Sequence, residues 1–427
     1  MNRLYRRRNA RFYESVLFSL PFQLMAGLLL LVCLPAALAW GVHFWSHPTD
    51  ATIARNTVTT AGIAFVAATL ALHHLRKYPG AQVVAYIVPT TTVIFMAAGA
   101  WLLFTRAPYS RPVLFGAWGL SLLWFFADYF TSIRFRQLRF AVVPFGSARD
   151  LEDSYQMEVL TIDQPELGGE SFDGIVADLS SDDLNASWEK FLARCTLQGI
   201  PVYHVKQIQE SITGQVRIRH MAENEFGSLL PSPLYQFVKR LLDISAVLVT
   251  LPVTLPVMLL TALAIRLDSP GPALFVQTRV GQGNREFRIY KFRSMRTDAE
   301  VAGAQLAQTG DNRITRVGRF IRKTRLDEFP QFFNVLLGDM SIIGPRPEQR
   351  PFVAHFEDEI PFYSYRHVVK PGITGWAQVM QGYASDTDDT RIKLQYDLYY
   401  IKHFSLWLDM LIVFKTIRTV LTGHGAK

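Results

Sequence analysis

Long stretches without charged residues dominate the first third of the chain. Lys, Arg, Asp and Glu are absent from Val16–Trp45, Asn56–Leu75 and Ala81–Thr105, and also from the shorter Pro112–Ala127. A helix needs about 20 apolar residues to cross the hydrocarbon core of a bilayer. The pattern therefore predicts three transmembrane helices, and a fourth that reaches spanning length if Asp128 is tolerated near its end. A secretory signal peptide would have a shorter apolar core and no further spans behind it.

Basic residues flank these apolar segments unevenly. Five arginines precede the first segment, Arg76 and Lys77 follow the second, and three arginines follow the fourth. The other two loops contain three basic residues together, so the ratio between the two sides is ten to three. By the positive-inside tendency, both ends of this four-helix bundle, residues 1–135, are predicted to be cytoplasmic.

Residues 136–228 show a different pattern, in which short apolar runs alternate with helical stretches such as Ala186–Gln198. The runs are Ala141–Phe145, Val159–Ile162, Gly174–Ala177 and Pro201–Val205. This alternation predicts a small parallel sheet with helices, a Rossmann-like α/β domain. The first turn, Phe145–Arg149, has one glycine where a dinucleotide fingerprint requires three. We therefore expect a structural or regulatory domain and not a nucleotide-binding one.

A fifth charge-free segment, Ile244–Ile265, follows the linker and is also long enough to cross a membrane. A full crossing would place the rest of the chain outside the cell. Pro252 and Pro256 lie in its middle, and each removes a backbone donor and clashes with the preceding turn. We predict a re-entrant helix over residues 237–267 that breaks at these prolines and leaves by the face it entered.

Composition agrees with a membrane protein of several domains. The 427 residues are 49% hydrophobic and 19% charged, with a net charge of +8. Soluble proteins have roughly 25% charged residues, and the balance seen here excludes intrinsic disorder and low-complexity sequence. Cys33 and Cys195 lie in segments of different character, so they provide neither a disulfide framework nor a cysteine-based metal site.

The C-terminal part, residues 229–427, combines basic residues with loops rich in Gly and Pro. The basic residues form two series: Arg279, Arg285, Arg288, Lys291, Arg293 and Arg296, then Arg313, Arg316, Arg319, Arg322, Lys323 and Arg325. By themselves they indicate a solvated face or contact with anionic lipid headgroups.

Two adjacent carboxylates, Asp327 and Glu328, stand at the end of the second basic series. Pro330 fits the first turn of a helix, and the apolar run Phe332–Leu337 ends at Gly338. This spacing predicts Asp327 as the N-cap and Glu328 as the first helical residue. A helix N-terminus among arginines favours bound phosphate, so one carboxylate could attack phosphorus while its neighbour holds a divalent cation. An ordinary acidic cap is the alternative.

Arg346 lies between Pro345 and Pro347, which present it rigidly to a phosphate or to a base edge. The sequence has no Gly-x-x-x-x-Gly-Lys loop and no His-Glu-x-x-His motif, which disfavours a nucleotide triphosphatase or a zinc hydrolase.

From Lys239 onward the sequence resembles the bacterial polyprenyl-phosphate phosphoglycosyl transferases of the monotopic type, which initiate the assembly of capsule, exopolysaccharide and glycoprotein. The matching motifs are KRLLD (239–243), YKFRSM (290–295), RLDEFPQ (325–331), GDMSIIGPRPE (338–348), KPGITGWAQV (370–379) and YDLYYIK (396–402). The N-terminal spans and the α/β domain resemble the larger members by arrangement. The segment Leu255-Pro256 departs from the Ser-Pro that many members have, and Pro252 is an additional break.

The resemblance implies an α+β catalytic domain and a two-step reaction. Asp327 would attack the sugar-bearing phosphorus of a UDP-sugar and release UMP, and polyprenyl (undecaprenyl) phosphate would then take the phosphosugar. Glu328 would coordinate Mg²⁺, the implied cofactor. By motif position, Pro345-Arg346-Pro347 would face the uridine. The basic residues implied to bind the substrate are Lys291, Arg293 and Arg322 for its phosphates, with Arg279 and Arg325 beside them.

The same resemblance implies the bacterial inner membrane, with the catalytic domain facing the cytoplasm and in contact with membrane lipid. A non-catalytic membrane-anchored assembly or sensor protein is the alternative, and it would not need the Asp327–Glu328 pair. A nucleic-acid partner is not expected, because the basic and aromatic residues lie in Gly- and Pro-rich loops and not on a stacking surface. The sequence leaves open the sugar, the polysaccharide, the role of the α/β domain and the oligomeric state, a homo-oligomer included.

Overall fold

The computed structural model divides the chain into two compact units, Met1–Thr213 and Gly214–Lys427. It describes residues 16, 19–43, 45, 51–76, 78, 83–135, 138–151, 157–169, 172–217, 230–296, 313–381 and 387–422. The predicted domain boundaries at residues 136 and 229 lie outside the described residues, as do the arginines before the first helix.

Four long apolar helices form the first part of the N-terminal unit. They are α1 (Leu20–Trp40), α2 (Ala51–Leu75), α3 (Val83–Phe104) and α4 (Arg111–Phe135). All four are long and apolar enough to cross a membrane, and they pack against one another. The buried Phe65 ring of α2 stacks on Phe125 of α4 at a centroid distance of 5.6 Å. The predicted series of apolar N-terminal helices is therefore confirmed.

A polar cluster explains how α4 continues past its one acidic residue. Asp128 accepts hydrogen bonds from Arg76, directly after α2, and from Gln23 of α1 at 3.3 Å. Trp124 Nε1 in turn donates to the Gln23 side-chain oxygen at 2.7 Å. A carboxylate near the end of an apolar helix is costly unless it is paired. Asp128 has that pairing and links three of the four helices.

The second part of the N-terminal unit is a four-stranded parallel sheet in the order β2-β1-β3-β4, with helices on its two faces. Its elements are β1 (Leu138–Val142), β2 (Met157–Thr161), β3 (Gly174–Ala177), α5 (Ala186–Leu197), β4 (Val202–His204) and α6 (Val205–Thr213). Trp188 and Phe191 of α5 pack on one face, and Val205 and Ile208 of α6 pack on the other. The predicted small parallel sheet with helices is confirmed.

The carboxyl ends of β1 and β3 are joined by a buried carboxylate. Asp178, directly after β3, accepts hydrogen bonds from the Ser147 amide at 3.0 Å and its hydroxyl at 2.6 Å. Burial raises the pKa of Asp178, but the hydrogen bonds from Ser147 and Ser180 bring it well below the usual value. Open parallel sheets bind nucleotide phosphates at this kind of position. An ionised carboxylate there disfavours phosphate, in agreement with the single glycine of the first turn.

The C-terminal unit contains one long helix, an antiparallel hairpin, a short parallel strand pair and a set of helices. The elements are α7 (Pro233–Asp268), β5 (Leu274–Val280), β6 (Glu286–Phe292), α8 (Arg316–Lys323), α9 (Gln331–Leu337), β7 (Ser341–Ile343), α10 (Arg350–Glu359), β8 (Gly372–Thr374), α11 (Trp376–Met380), α12 (Thr387–Lys402) and α13 (Leu406–Thr422).

Helix α7 does not show the predicted interruption. Its 36 residues form one continuous helix, with Pro252 and Pro256 inside it. Each proline removes one backbone hydrogen bond of the helix. Where the surroundings are apolar, the other backbone N–H and C=O groups are still best satisfied by helical hydrogen bonds. The prediction that helical structure breaks at these prolines is therefore wrong. The return of the segment to the face that it enters stays a prediction.

Both ends of the charge-free segment of α7 pack against the same part of the chain. Val247 lies in one hydrophobic cluster with Ile289 and Val335, and Ile265 lies in another with Phe292 and Ile321. The other side of the helix exposes apolar side chains, among them Leu248, Val249, Val253, Leu259, Leu260 and Leu263. Because both ends lie against one part of the chain, we expect immersion from one side of the membrane, and this topology stays a prediction.

Cysteine labelling in intact cells tests the topology. In a Cys33→Ser, Cys195→Ser background, Asp358→Cys places an exposed thiol on α10. We expect a membrane-impermeant maleimide to label it only after the cells are opened, because both ends of α7 would lie on the cytoplasmic side. Thr105→Cys, between α3 and α4, is the matched control that should label from outside. Labelling of residue 358 from outside would mean that α7 crosses the membrane.

Candidate active site

Three segments of the C-terminal unit converge on the predicted carboxylate pair. Strand β6 contributes Lys291, a short 3₁₀ turn over Leu326–Glu328 contributes the two carboxylates, and the loop after β7 contributes Arg346. Arg346 Nη2 donates to Glu328 Oε1 at 2.9 Å, which joins the loop to the turn. The structure therefore brings these four predicted site residues together.

The carboxylates lie in a different local structure from the one that their spacing predicts. Arg325 has left-handed backbone angles, φ 58° and ψ 16°, and leads into the 3₁₀ turn that contains both carboxylates. Helix α9 begins only at Gln331, and Pro330 occupies its cap position. Asp327 as N-cap and Glu328 as first residue of this helix were therefore wrong. The predicted end is right, since α9 stops before Gly338, whose φ is 97°.

Glu328 is held by positive charge on two sides. Its side chain is buried, and Oε1 accepts from Arg346 at 2.9 Å and from Arg325 at 3.4 Å. Burial raises the pKa of Glu328, but the cationic side chains around it lower it more, to about 2 overall. This carboxylate is ionised and fixed in place.

Asp327, the adjacent residue, has a different environment. Its Oδ1 atom is buried and has no hydrogen-bond partner among the described residues. Burial and the neighbouring Glu328 carboxylate raise the pKa of Asp327 to about 6, against the opposing effect of Lys291. Buried polar atoms are almost always paired in folded proteins. An unpaired carboxylate oxygen in such a place indicates an atom whose partner is a ligand.

Lys291 is half-buried on β6 and faces the same charges. Burial and the nearby Arg346 guanidinium lower its pKa to about 8, and the two carboxylates act in the opposite direction. Its ammonium group makes no hydrogen bond or ion pair with any described residue. Three cationic side chains, Lys291, Arg325 and Arg346, therefore face the two carboxylates. The excess positive charge suits an anionic ligand such as a diphosphate.

A second set of buried ion pairs holds the Pro345-Arg346-Pro347 loop. Arg366 donates to the Arg346 carbonyl at 2.9 Å and pairs with Asp397 at 2.9 Å, where both side chains are only 2% exposed. Burial would lower the pKa of Arg366, but the anionic partners keep it well above its usual value. The loop is thus fixed through its backbone as well as through the Arg346 side chain.

The predicted Arg279 also acts on this loop. Its guanidinium donates to the Pro347 carbonyl at 3.1 Å and pairs with Glu348 at 3.4 Å, and Lys393 contacts Glu348 at 2.6 Å. Burial raises the pKa of Glu348, but the surrounding cations lower it by more, to about 2 overall.

Sequence reasoning did not assign roles to four residues that hold this loop: Glu348, Lys393, Arg366 and Asp397. Glu348 ends the Gly-Pro-Arg-Pro-Glu motif and Asp397 lies in the YDLYYIK motif, so a signal was present.

Two predicted phosphate ligands lie apart from these contacts. The buried Arg293 donates to the Pro270 carbonyl at 2.7 Å and to the Ser269 carbonyl at 2.8 Å, just after α7. Its two terminal nitrogens thereby hold the end of that helix, while its buried Nε has no partner among the described residues. The Arg322 side chain, in the last turn of α8, makes no hydrogen bond or ion pair with the described residues, and its phosphate role stays a prediction. Pro345 and Pro347 are buried, and the Pro345 carbonyl accepts from Gly372 at 2.9 Å.

The donor atoms fit Mg²⁺ only when substrate oxygens complete the set. Within the described ranges, no group of three or more His, Cys, Asp and Glu side chains could hold a metal ion. Mg²⁺ commonly binds through one or two carboxylates plus substrate phosphates and water. Glu328, ionised and with Oε2 not bonded to any described residue, and Asp327, with its unpaired Oδ1, provide that kind of partial site.

Comparison with known proteins agrees with this chemistry. The family of bacterial sugar transferases matches residues 234–423. Over nearly its whole length, the chain is similar to a UDP-N-acetylgalactosamine-undecaprenyl-phosphate N-acetylgalactosaminephosphotransferase of Aeromonas hydrophila. The identity is 55% over 423 residues, which are 99% of this chain and 100% of that protein. The chain belongs to the polyprenyl-phosphate phosphoglycosyl transferases.

Two further relatives each match part of this phosphoglycosyl transferase. A UDP-glucose:undecaprenyl-phosphate glucose-1-phosphate transferase of Xanthomonas campestris pv. campestris is 50% identical over 170 residues, 39% of this chain and 35% of that protein. An exopolysaccharide production protein of Rhizobium leguminosarum bv. phaseoli is 45% identical over 196 residues, 44% of this chain and 98% of that protein. The predicted family is confirmed, and the protein is an enzyme and not a non-catalytic anchor.

The buried Arg366–Asp397 pair is predicted to position Arg346 for turnover. Asp397→Asn keeps the side-chain size but leaves Arg366 buried without its counter-charge, which costs about 3–5 kcal/mol of stability. We expect kcat/KM for the UDP-sugar to fall at least about tenfold as the Arg346 carbonyl loses its fixed partner. UMP release and thermal unfolding measure the two effects.

The matched control is Asp388→Asn on the same helix, whose exposed pair with Arg391 should contribute at most about 1 kcal/mol. Asp397→Asn should also combine less than additively with Arg346→Lys, because both act on one loop. Full additivity of the two changes would show that the buried pair stabilises the fold without positioning Arg346.

Proposed function

We propose that this enzyme transfers a sugar-1-phosphate from a UDP-sugar to undecaprenyl phosphate through a covalent intermediate on Asp327. The observation that carries the proposal is the unequal environment of the two adjacent carboxylates. Glu328 is fixed by Arg346 and Arg325, whereas Asp327 Oδ1 is buried and has no protein partner within the described residues. A fixed carboxylate suits charge compensation, and an unpaired one suits attack on phosphorus.

In the first step a carboxylate oxygen of Asp327 forms a bond to the sugar-bearing phosphorus. The bond from that phosphorus to the bridging oxygen breaks, and its electron pair leaves with UMP. In the second step an oxygen of polyprenyl phosphate attacks the same phosphorus, and Asp327 is released as a carboxylate. Neither displacement requires a proton to be removed from the attacking group, since both nucleophiles are anions.

Lys291 and Arg346 support both steps by their position. Phosphoryl transfer depends mainly on placing the reactants in line and on compensating the charge on the transferred group. Lys291 makes no ion pair with the described residues, so its ammonium group is available to the diphosphate. Arg346 binds Glu328 with one nitrogen, and its backbone is fixed by Arg366. These cations would stabilise the leaving UMP electrostatically.

Magnesium fits this arrangement as a partner of Glu328. The carboxylate oxygen that does not accept from Arg346, together with substrate oxygens, would hold the ion. When bound, Mg²⁺ supplies charge neutralisation to the diphosphate. Arg346 and Arg325 keep Glu328 ionised and oriented for this role.

For the sugar, we propose N-acetylgalactosamine. The relative from Aeromonas hydrophila named for this sugar is similar over the whole chain, whereas the glucose-named relative from Xanthomonas campestris matches only 39% of it. Similarity to an exopolysaccharide production protein supports a role in the first membrane step of exopolysaccharide or capsule repeat-unit assembly. The apolar helices and the basic flanks support the cytoplasmic face of the inner membrane.

Reaction with UDP-sugar in the absence of lipid separates the two carboxylates. Wild-type protein should gain the mass of one phosphosugar and release about one UMP per chain. Asp327→Asn should abolish both, because it lacks the nucleophile. Glu328→Gln should form the adduct slowly and recover partly at high Mg²⁺. Intact-mass measurement distinguishes these outcomes, with Asp388→Asn as the control. An adduct that persists in Asp327→Asn would show that another residue is the nucleophile.

The sugar assignment has its own test. Purified enzyme with undecaprenyl phosphate and Mg²⁺ should use UDP-N-acetylgalactosamine with a kcat/KM at least about tenfold above that for UDP-glucose, which lacks the acetamido group. UMP release across a panel that includes UDP-galactose and UDP-N-acetylglucosamine measures this preference. Equal or faster turnover of UDP-glucose would contradict the assignment and leave the covalent mechanism untouched.

A further inference from the structure

A small cavity lies beside the N-terminal part of α7, apart from the carboxylate pair. It has a volume of about 50 Å³, enough by the same measure for roughly three or four water molecules or one phosphate-sized group. The residues that line it are Gln236, Lys239, Arg240, Asp243, Gln282, Ser341, Val369, Lys370 and Phe404. Three of the nine are cationic and one is acidic, so the cavity favours an anion.

Two of the three cations are not neutralised by a carboxylate. Lys239 pairs with the buried Asp409 at 2.7 Å, whereas Arg240 donates only to the backbone carbonyls of Val335 and Leu336. The Lys370 ammonium makes no hydrogen bond or ion pair with any residue that the structure describes. The cavity therefore presents one guanidinium and one ammonium that form no ion pair with a carboxylate of the described residues.

These two cations lie next to each other above Gly338. A Cβ atom built on Gly338 would be 3.5 Å from Arg240 Nη2 and 3.7 Å from Lys370 Nζ. Burial and the adjacent Arg240 lower the pKa of Lys370, and the carboxylates of Asp243 and Asp339 act against this. Two neighbouring cations at a cavity are stabilised when an anion binds between them.

The acidic residue of the cavity is turned to other partners. Asp243 accepts from the Ser341 hydroxyl at 2.7 Å and from the Ile342 amide at 3.3 Å. These bonds hold its carboxylate against the start of β7 and leave Arg240 and Lys370 to an external ligand.

The cavity lies beside the turns of α7 that precede its apolar segment. Arg240 stands four residues before the charge-free segment that begins at Ile244. The same turns expose large apolar side chains to the surroundings: Leu234, Phe237, Leu241 and Leu242. Basic residues at the end of an apolar membrane helix lie at the level of the lipid headgroups. A ligand with a phosphate and a hydrocarbon chain would match both the cavity and this surface.

We propose that Arg240 and Lys370 form a binding site for the phosphate group of a membrane lipid, with the lipid chain along α7. The site is separate from the catalytic carboxylates: Ser341, which lines the cavity, begins β7, and Arg346, which binds Glu328, follows the other end of that strand. Phospholipid and polyprenyl phosphate carry the same group, and the experiment distinguishes them.

Native mass spectrometry of the purified full chain tests the site with four probes: dioleoyl phosphatidylglycerol, undecaprenyl phosphate, dioleoylglycerol and inorganic phosphate. We expect the phosphate-bearing lipids to bind at least about tenfold more tightly than dioleoylglycerol or inorganic phosphate. Lys370→Gln should lose about that factor, and Lys370→Arg should keep most of it. Lys190→Gln, an exposed lysine of α5, is the matched control and should bind as the wild type does.

The pattern across the probes identifies the lipid. Lys370 dependence for phosphatidylglycerol alone assigns the site to phospholipid, and dependence for undecaprenyl phosphate alone assigns it to the acceptor. Binding of both lipids by Lys370→Gln at wild-type affinity would overturn the proposal, as would equal affinity for inorganic phosphate or dioleoylglycerol.

A measurement on the unmodified chain covers the case in which Lys370→Gln does not fold. Phosphatidylglycerol or undecaprenyl phosphate should slow chemical acetylation of Lys370 about tenfold relative to dioleoylglycerol and leave Lys190 unchanged. Equal rates at Lys370 with all three lipids would overturn the proposal. None of these measurements requires turnover, so their failure would leave the covalent mechanism unaffected.

Discussion

The site depends on the ion pair between the buried Glu328 carboxylate and the half-buried Arg346 guanidinium, which joins the 3₁₀ turn to the loop after β7 at 2.9 Å. The Glu328 carboxylate is buried, so the loss of this partner would be costly, and the pair restrains the turn and the loop relative to each other. Because Asp327 precedes Glu328 directly, the pair also fixes where Asp327 stands. Arg366 and Asp397 hold the same loop from behind through the Arg346 carbonyl.

This constraint gives two neighbouring carboxylates different chemistry. Two adjacent acids in one buried place raise each other's pKa unless cations compensate them. Here the arginines act mainly on Glu328, which stays ionised, and Asp327 keeps a raised pKa of about 6 and an unpaired oxygen. A substrate that brings both phosphate and a cation would satisfy Asp327. The proposed division into a fixed carboxylate and an attacking one rests on this difference.

Patterns within the chain predicted the elements whose formation is local. Charge-free apolar segments predicted the N-terminal helices, and the alternation of short apolar runs with helical stretches predicted the parallel sheet. Gly338 marked the end of α9. The failures concern tertiary contacts. Spacing cannot show that Arg325 adopts a left-handed conformation before an extra turn, or that the Arg293 guanidinium holds Ser269 and Pro270. The site residues came from motif resemblance, and Glu348 and Asp397 lay unassigned inside those motifs.

The central claim, that Asp327 carries the phosphosugar, is tested most directly by locating the modification on the wild-type chain. The enzyme would be quenched in acid after brief exposure to UDP-sugar, digested, and the peptide around residues 325–331 fragmented by tandem mass spectrometry. The account predicts fragment ions that place the added phosphosugar mass on Asp327 and leave Glu328 unmodified. Added mass on Glu328, or on a residue outside this peptide, would contradict it.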